Sequence, residues 1–439
     1  MAERTRSSPA PVTPVRRSAA WAALAALTAA LAATAPSSLA RPRGDTGVRN
    51  ASGGSSNAQT EQTIAVNPRN PKNILIGSLN GVSVSHDGGR TWKLSPLSCT
   101  VDNNPAFDSR GVAYFECDSN NVQIYTSDDG GSHWEAPISA LSGSDNNGDL
   151  ADRPWLVRSP HDGRLILGWE SFFTTPVGWV FMKSSFDGAR TWSAQHQVDD
   201  LQAQPAEQDP REMPAVGADG TIYFVYASGH NPFPAGQVLQ TSYVVARSRD
   251  DGATWQRTVA AANIQRSKSP TEEAEAISSL AADPSLRRAK HLALAWADQR
   301  SGESRILVIS SIDGGVHWSQ PADIAGDPPG IANQHDHPQI AFAPDGRLIV
   351  VWRDRRCCDG SWTSAYQLWA RALTITSHGP VARGRIVQVT DKPQQPNSQT
   401  MFDEYLGIAV GPEGLSVAWN QPYNGVAASY FRRLPLSVF

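Results

Sequence analysis

Acids and arginines recur along this chain in short mixed clusters. They are Asp102-Asn103, Asp152-Arg153, Arg211-Glu212, Glu273-x-Glu275, Asp298-x-Arg300, His335-Asp336-His337, Asp354-Arg355-Arg356 and Glu404-Tyr405. A guanidinium fork binds a carboxylate through paired hydrogen bonds, and two carboxylates held close together are pushed into separate acid and base roles. Such groups could hold and transform a charged ligand. The competing reading is that they only pair with one another and tie the fold together, as Asp298 with Arg300 and Asp354 with Arg356 would. His335-x-His337 sets two imidazoles on one side of a strand, which could start a metal site, but spacing fixes no third ligand. The chain has no Gly-rich phosphate loop, nucleophile elbow or Cys-x-x-Cys, and no metal or other cofactor is expected.

The elements that must position these residues announce themselves as repeats. Five copies of an eight-residue pattern occur: Ser85-His-Asp87-Gly-Gly89-Arg-Thr91-Trp92, Ser127-Asp-Asp129-Gly-Gly131-Ser-His133-Trp134, Ser185-Phe-Asp187-Gly188-Ala-Arg-Thr191-Trp192, Ser248-Arg-Asp250-Asp-Gly252-Ala-Thr254-Trp255 and Ser311-Ile-Asp313-Gly-Gly315-Val-His317-Trp318. Each is the chemistry of a tight turn: Ser and Asp bond nearby N–H groups, Gly supplies a positive φ, and Trp covers one side. Seven segments, opening near Glu61, Asn104, Asp152, Glu212, Glu273, Asp336 and Glu404, share a polar cluster, a strand, a turn and a second strand. Asp-Gly pairs between β-rich runs, as in 214–226 and 338–352, mark hairpins. A third strand then leads into the eight-residue turn and a fourth follows it. The expectation is an all-β propeller of four-stranded antiparallel blades, seven by the count of openings, with six as the rival because the sixth repeat lacks the turn motif and the seventh is short.

Strand direction then separates two faces. If first strands descend beside the axis, their starts and the ends of second strands share one mouth, and the eight-residue turns lie at the opposite end. The clusters named above therefore line one opening, a natural concave pocket. Five of the fourteen tryptophans close the turns, and Trp169, Trp296, Trp352 and Trp419 end second strands, so most tryptophan is read as packing between blades.

Bulk properties narrow the class. Arg16-Arg17, the Ala/Leu-rich run from Ala19 to about Ala33, and Ser38-Leu-Ala40 have the layout of a secretory signal. The domain reading is 1–40 signal peptide, 41–58 flexible linker and 59–439 a single propeller, with a secreted or periplasmic product and no membrane span after cleavage. A net charge of −4 and six lysines argue against a nucleic-acid partner. Cys99, Cys117, Cys357 and Cys358 form an even set; the first two could bridge, and the adjacent pair could form a vicinal disulfide or stay reduced.

The five turns are the Asp-box signature. With the export signal, the chain resembles the sialidase (neuraminidase-like) superfamily over roughly residues 60–430. The Asp box also occurs in sortilin-type receptors, xyloglucan hydrolases and photosystem assembly factors, so the resemblance implies the fold before it implies an activity. For a sialidase it implies an arginine triad for the sugar carboxylate, an Asp acid/base, and a Tyr nucleophile helped by Glu, the exception to two-carboxylate glycosidases. At the mouth positions this gives Arg153, Arg211 and Arg300 as the triad, Asp152 as the acid, and Tyr405 with Glu275 as the nucleophile pair. Glu212, Asp336, Arg356 and Glu404 would complete substrate binding. The family's Arg-x-Pro motif is absent: Asp152-Arg153-Pro154 is one residue short, and Arg211-Glu-Met-Pro214 one too long. The expected function is an exported glycoside hydrolase acting on a terminal acidic sugar of a glycan or glycoconjugate. The alternative is a non-catalytic propeller binding glycan or protein.

Overall fold

The computed structural model describes residues 42–55, 59–98, 101–118, 121–143, 145, 151–171, 179–206, 213–229, 240–267, 278–327, 332–395, 405–423 and 426–439. Within the unit Pro42–Phe439 the order begins with β1 (Arg49–Asn50). Blade 1 holds β2 (Thr63–Val66), β3 (Ile74–Ser78), β4 (Gly81–Ser85) and β5 (Lys93–Ser95). Blade 2 holds β6 (Val101–Phe107), β7 (Ala113–Asp118), β8 (Val122–Ser127) and β9 (Ile138–Ser139), and blade 3 β10 (Asp152–Arg158), β11 (Leu165–Ser171), β12 (Trp179–Ser185) and β13 (His196–Gln197). Blade 4 comprises β14 (Met213–Val216), β15 (Ile222–Ser228), β16 (Gln240–Ser248) and β17 (Gln256–Gln265). Blade 5 comprises β18 (Ser278–Ala282), β19 (Leu292–Asp298), β20 (Arg305–Ser311) and β21 (Ala322–Asp323). Blade 6 follows with β22 (His335–Phe342), β23 (Arg347–Asp354), β24 (Gln367–Thr376) and β25 (Gly379–Gln388). Blade 7 has β26 (Gly407–Gly411), β27 (Gly414–Tyr423) and β28 (Val426–Leu434).

Seven four-stranded antiparallel sheets result, so the six-bladed alternative is set aside. The ring closes because β1 joins blade 7 as its outer strand, with Arg49 opposite Phe431. Residues 41–58, read from the sequence as a linker, thus include a strand of the last blade. The expected signal segment lies outside the described residues. Among the described residues no helix is long and apolar enough to cross a membrane.

The Asp-Gly hairpins form as their chemistry requires. Gly220 and Gly346 take φ of +83° and +89° between the first and second strands of blades 4 and 6, and Thr221 N–H donates to the Asp219 carboxylate. Second-strand tryptophans fill the space between blades. Trp352 is wholly buried against Ala293, Ala295 and Ala297 of blade 5, whose small side chains leave room for the indole. Trp296 meets Val225, Ala227 and Tyr243 of blade 4 in the same way, and Trp169 meets Tyr114 and Ile124 of blade 2.

Each eight-residue turn joins the third and fourth strands and closes on itself. In the first, Ser85 Oγ donates to Asp87, Gly89 N–H donates to Ser85 Oγ, and Thr91 gives both its N–H and its hydroxyl to the Asp87 carboxylate. His133 and His317 replace that hydroxyl with an imidazole nitrogen, 2.6 and 2.7 Å from Asp129 and Asp313. These turns sit beside the first hairpins: Asn73 Nδ2 donates to Gly130 O, and Gly314 N–H to Lys290 O. First-strand starts therefore lie at the other end. Blade 6, which lacks the motif, turns tightly from Thr376 to Gly379 instead.

Candidate functional site

The site is built where first strands begin. Four non-glycine residues there hold the left-handed conformation: Glu61 (φ 59°), Asp102 (φ 41°), Arg153 (φ 49°) and His337 (φ 50°). Such conformations cost on the order of 1–3 kcal/mol each and persist where surrounding structure enforces them. In blades 2, 3 and 6 the ladder register also shifts at this point, between Val101 and Asn103, Asp152 and Trp155, and Asp336 and Gln339. A bulge re-aims a side chain that regular pleating would turn to one face of the blade. Pro154 and Pro338 follow the strained residue and have no N–H to lose from the ladder. In blade 2 the corresponding Asn103 is instead fastened to blade 1. Its Nδ2 donates to Glu61 O at 3.1 Å, and its Oδ1 accepts from Thr63 Oγ1 at 2.8 Å.

The consequence is a meeting of blades that are not neighbours. Tyr405, just before β26 of blade 7, donates its hydroxyl to Asp102 Oδ1 of blade 2 at 2.5 Å. Its ring stands edge-on to Trp155 of blade 3, with centroids 5.8 Å apart and planes at 75°. Blade 1 lies between blades 7 and 2, so these contacts cross the axial opening. Carboxylate oxygens of Asp102, Asp118 and Asp152 lie within 4.8 Å of one another. Arg153 Nε approaches Glu170 Oε1 at 3.3 Å, and both side chains are largely buried.

Electrostatics follows from this crowding of acids. Burial, reinforced by Asp102 and Glu61, pushes the Tyr405 hydroxyl well above its ordinary value, and Arg153 offsets only part of that. Tyr405 is therefore a neutral donor to Asp102. Glu116 is fully buried, and burial together with Asp102 and Asp118 raises its carboxyl well above the usual carboxylate range. The cluster can bind sugar hydroxyls through its carboxylates, pack a sugar ring on Trp155 and Tyr405, and pass a proton between Tyr405 and Asp102.

Of the residues expected from the sequence, Asp152, Arg153 and Tyr405 come together here. Asp336, Arg300 and Arg356 are engaged elsewhere. Asp336 is buried between Arg355 Nη2 (3.0 Å) and His337 Nδ1 (3.3 Å). Arg300 forks onto Asp298 of its own blade at 2.5 and 2.9 Å, at the edge of a groove of about 430 Å³ between the outer parts of blades 4 and 5. Arg356 binds Asp354 at 2.6 Å and stacks over Trp369. These last two pairs realise the structural alternative. Arg211, Glu212, Glu275 and Glu404 lie outside the described residues. Tyr405 is bonded to Asp102; its expected pairing with Glu275 falls outside the described residues. Sequence reasoning missed Glu116 and Asp118. They end the second strand of blade 2 as Glu170 ends that of blade 3, and the same end-of-strand rule would have found them.

His335 and His337 do not share a site. His335 Nε2 meets Asp327 at 2.6 Å and its Nδ1 lies 3.3 Å from Asp354, whereas His337 faces Asp336. Asp327 also binds Arg305 and lies 3.6 Å from Arg356, so acids and bases balance in this second cluster. Cys357 and Cys358 are bridged to each other. Cys117 is disulfide-bonded, and Cys99 lies outside the described residues.

Comparison with known proteins agrees with this architecture. The family model described as a BNR repeat-like domain matches residues 116–352. No curated protein sequence matches significantly. Among solved structures, a protein of unknown function from Dyadobacter fermentans aligns with a TM-score of 0.50 at 14% identity, covering 89% of this chain and 99% of that one. A Hadza microbial sialidase gives a TM-score of 0.47 at 12% identity, covering 84% and 74%. Trypanosoma rangeli sialidase gives 0.43 at 14%, covering 80% of this chain and 56% of that one. At 14% identity the likeness to the Dyadobacter protein is one of fold.

Proposed function

From the premise that the chain belongs to the BNR repeat-like family and folds as a seven-bladed propeller, we propose that it is an exported glycoside hydrolase acting on the terminal sugar of a glycan. The observation that carries this reading is the Tyr405–Asp102 hydrogen bond across the axial mouth. In the proposed step the anomeric carbon settles against Tyr405 Oη, and Asp102 takes the phenolic proton as the C–O bond to the enzyme forms. Asp152, on the same rim and entering protonated, gives its proton to the departing oxygen as the glycosidic C–O bond breaks; it then withdraws a proton from the attacking water, which displaces Tyr405 Oη as Asp102 returns the phenolic proton. Asp102 needs no movement to act, because it already accepts that proton's hydrogen bond. Tyr405 would be inert alone, since its raised proton affinity keeps it neutral until a base assists.

Substrate acidity turns on Arg153, the arginine found with this cluster among the described residues. A panel of fluorogenic sialosides, hexuronides and neutral hexosides tests the proposal: turnover that disappears in Tyr405→Phe supports it, and no turnover of any member contradicts it. A second reading, a non-catalytic glycan- or protein-binding propeller, is favoured by the Asp298–Arg300 and Asp354–Arg356 pairs, which spend arginines on holding loops. Tight binding on a glycan array without product release would select it.

A further inference from the structure

We infer that the axial acids of blades 2 and 3 form a site for a hard divalent cation of the calcium class, held by Asp102, Asp118 and Asp152 and backed by Glu116. The three carboxylates come from three different strands, β6, β7 and β10, yet each offers an oxygen within 4.8 Å of the other two. Oxygens around one ion at about 2.3–2.6 Å are separated by no more than about 5 Å, so this spacing suits a shared ion. The donors are all oxygen, which favours calcium or magnesium over zinc or copper. Carboxylates from separate blades suit calcium's tolerant geometry better than magnesium's strict octahedron.

Glu116 supplies the independent observation. Its side chain is 0% exposed, and neither carboxyl oxygen has a hydrogen-bond partner among the described residues. It stands two residues from Asp118 on β7, on the same side of the strand, within the electrostatic reach of Asp102 and Asp118. A buried carboxyl without partners is costly, and placing it beside further acids adds repulsion that a bound cation removes. The saturated cluster of Asp327, His335 and Asp354 shows the alternative solution. There Arg305, Arg356 and the imidazole supply positive charge to the carboxylates directly.

The inference shares the axial mouth with the glycosidase reading but stands without it, because cation binding needs no sugar. Asp102 and Asp152 serve both readings, and a bound ion holds them ionised, so calcium is expected to slow glycoside turnover that depends on their proton transfers. The test is titration of the chelator-treated full chain with terbium chloride, exciting the aromatic side chains, followed by displacement with calcium chloride and by calorimetry with calcium alone. Trp155 and Tyr405 border the acids, so sensitised terbium emission that calcium reverses is expected, with one ion per chain by calorimetry. Asp118→Asn and Asp152→Asn should each weaken calcium binding by about ten-fold or more, and Glu116→Gln by about ten-fold. Trp155→Phe should reduce the emission while keeping the calorimetric stoichiometry, and Asp327→Asn should change neither. Absence of calcium heat in the folded wild type would overturn the inference. So would full affinity in folded Asp118→Asn and Asp152→Asn. Glycoside turnover that persists in chelator alongside absent calcium binding would remove the cation and leave the glycosidase reading intact.

Discussion

Two acid clusters in this propeller have opposite characters. Between blades 5 and 6, Asp327, Asp354 and Glu303 face Arg305, Arg356 and His335, three acids to three bases, and Trp352 Nε1 and Asn333 Nδ2 give Asp354 further donors. At the axial mouth, Glu61, Asp102, Glu116, Asp118, Asp152 and Glu170 gather with Arg153 as the base found with them among the described residues. The first cluster is finished: every charge is answered from within, and its work is to fasten blades. The second holds left-handed backbone at Asp102 and Arg153 and a buried Glu116 carboxyl whose proton affinity burial, Asp102 and Asp118 raise. The lesson is that a dense group of charged residues says little by itself; the balance of charge within it separates fastening from function.

The largest expected effect that sharpens this contrast is on activity. Tyr405→Phe should lower kcat on the preferred glycoside by at least about 10²–10⁴-fold with little change in Tm, because it removes the attacking oxygen together with the proton passed to Asp102. Kinetics on the purified variant, with a melting curve beside it, check this. Asp354→Ala should do the reverse. It leaves Asp327, already bound to Arg305, alone to answer Arg356 and the buried His335, and should lower stability by urea unfolding by about 3 kcal/mol, with kcat retained in the folded fraction. Equal damage to activity and stability by both variants would erase the distinction.

The pH dependence should also differ. Glu116 has its carboxyl raised in the folded state, so the folded chain binds that proton more tightly than the unfolded one. Its favourable contribution is complete below the ordinary carboxylate range and shrinks as pH rises toward its folded value. In chelator, Tm should therefore fall as pH is raised from about 4.5, and Glu116→Gln should flatten that slope. In the second cluster, burial opposes the charge on His335, but Asp327 and Asp354 outweigh it and raise its pKa. That contribution is present below about 6.5 and is lost only as pH climbs through the raised value. A Glu116→Gln variant with the wild-type pH profile would contradict the account of the axial cluster. The smallest effect belongs to the turns. Thr254's hydroxyl and N–H hold Asp250 at about 2, so its stabilisation is present above the ordinary Asp value and fades as pH falls from about 4 toward 2. Asp250→Asn should trim the acid limb of the melting profile slightly and leave turnover unchanged.

Much of the fold was legible because its repeats are local. Eight residues from Ser85 to Trp92 contain a complete hydrogen-bonded turn, and Asp345-Gly346 contains a complete hairpin, so neither needs the rest of the chain to be recognised. The mouth was half legible. Strand direction put Asp152, Arg153 and Tyr405 on one rim, but the Tyr405–Asp102 contact spans 303 residues and depends on ring closure and on bulges that no local pattern encodes. Arg300 and Arg356 looked like ligand forks because their type and spacing suit that role. Their acids, two residues before each, were equally visible, and only coordinates show the forks already filled. Glu116 escaped notice because Ala113-Tyr-Phe-Glu-Cys-Asp118 reads as an ordinary strand until its neighbours across the blades are known.

The most direct test is a crystal structure of the protein with the sugar released from its best glycoside. The account predicts electron density for the ring against Trp155 and Tyr405 on the axial side, with Asp152 and Asp102 on its edge. Density seated in the groove between blades 4 and 5, or anywhere off the axis with the Tyr405–Asp102 contact undisturbed, would contradict it.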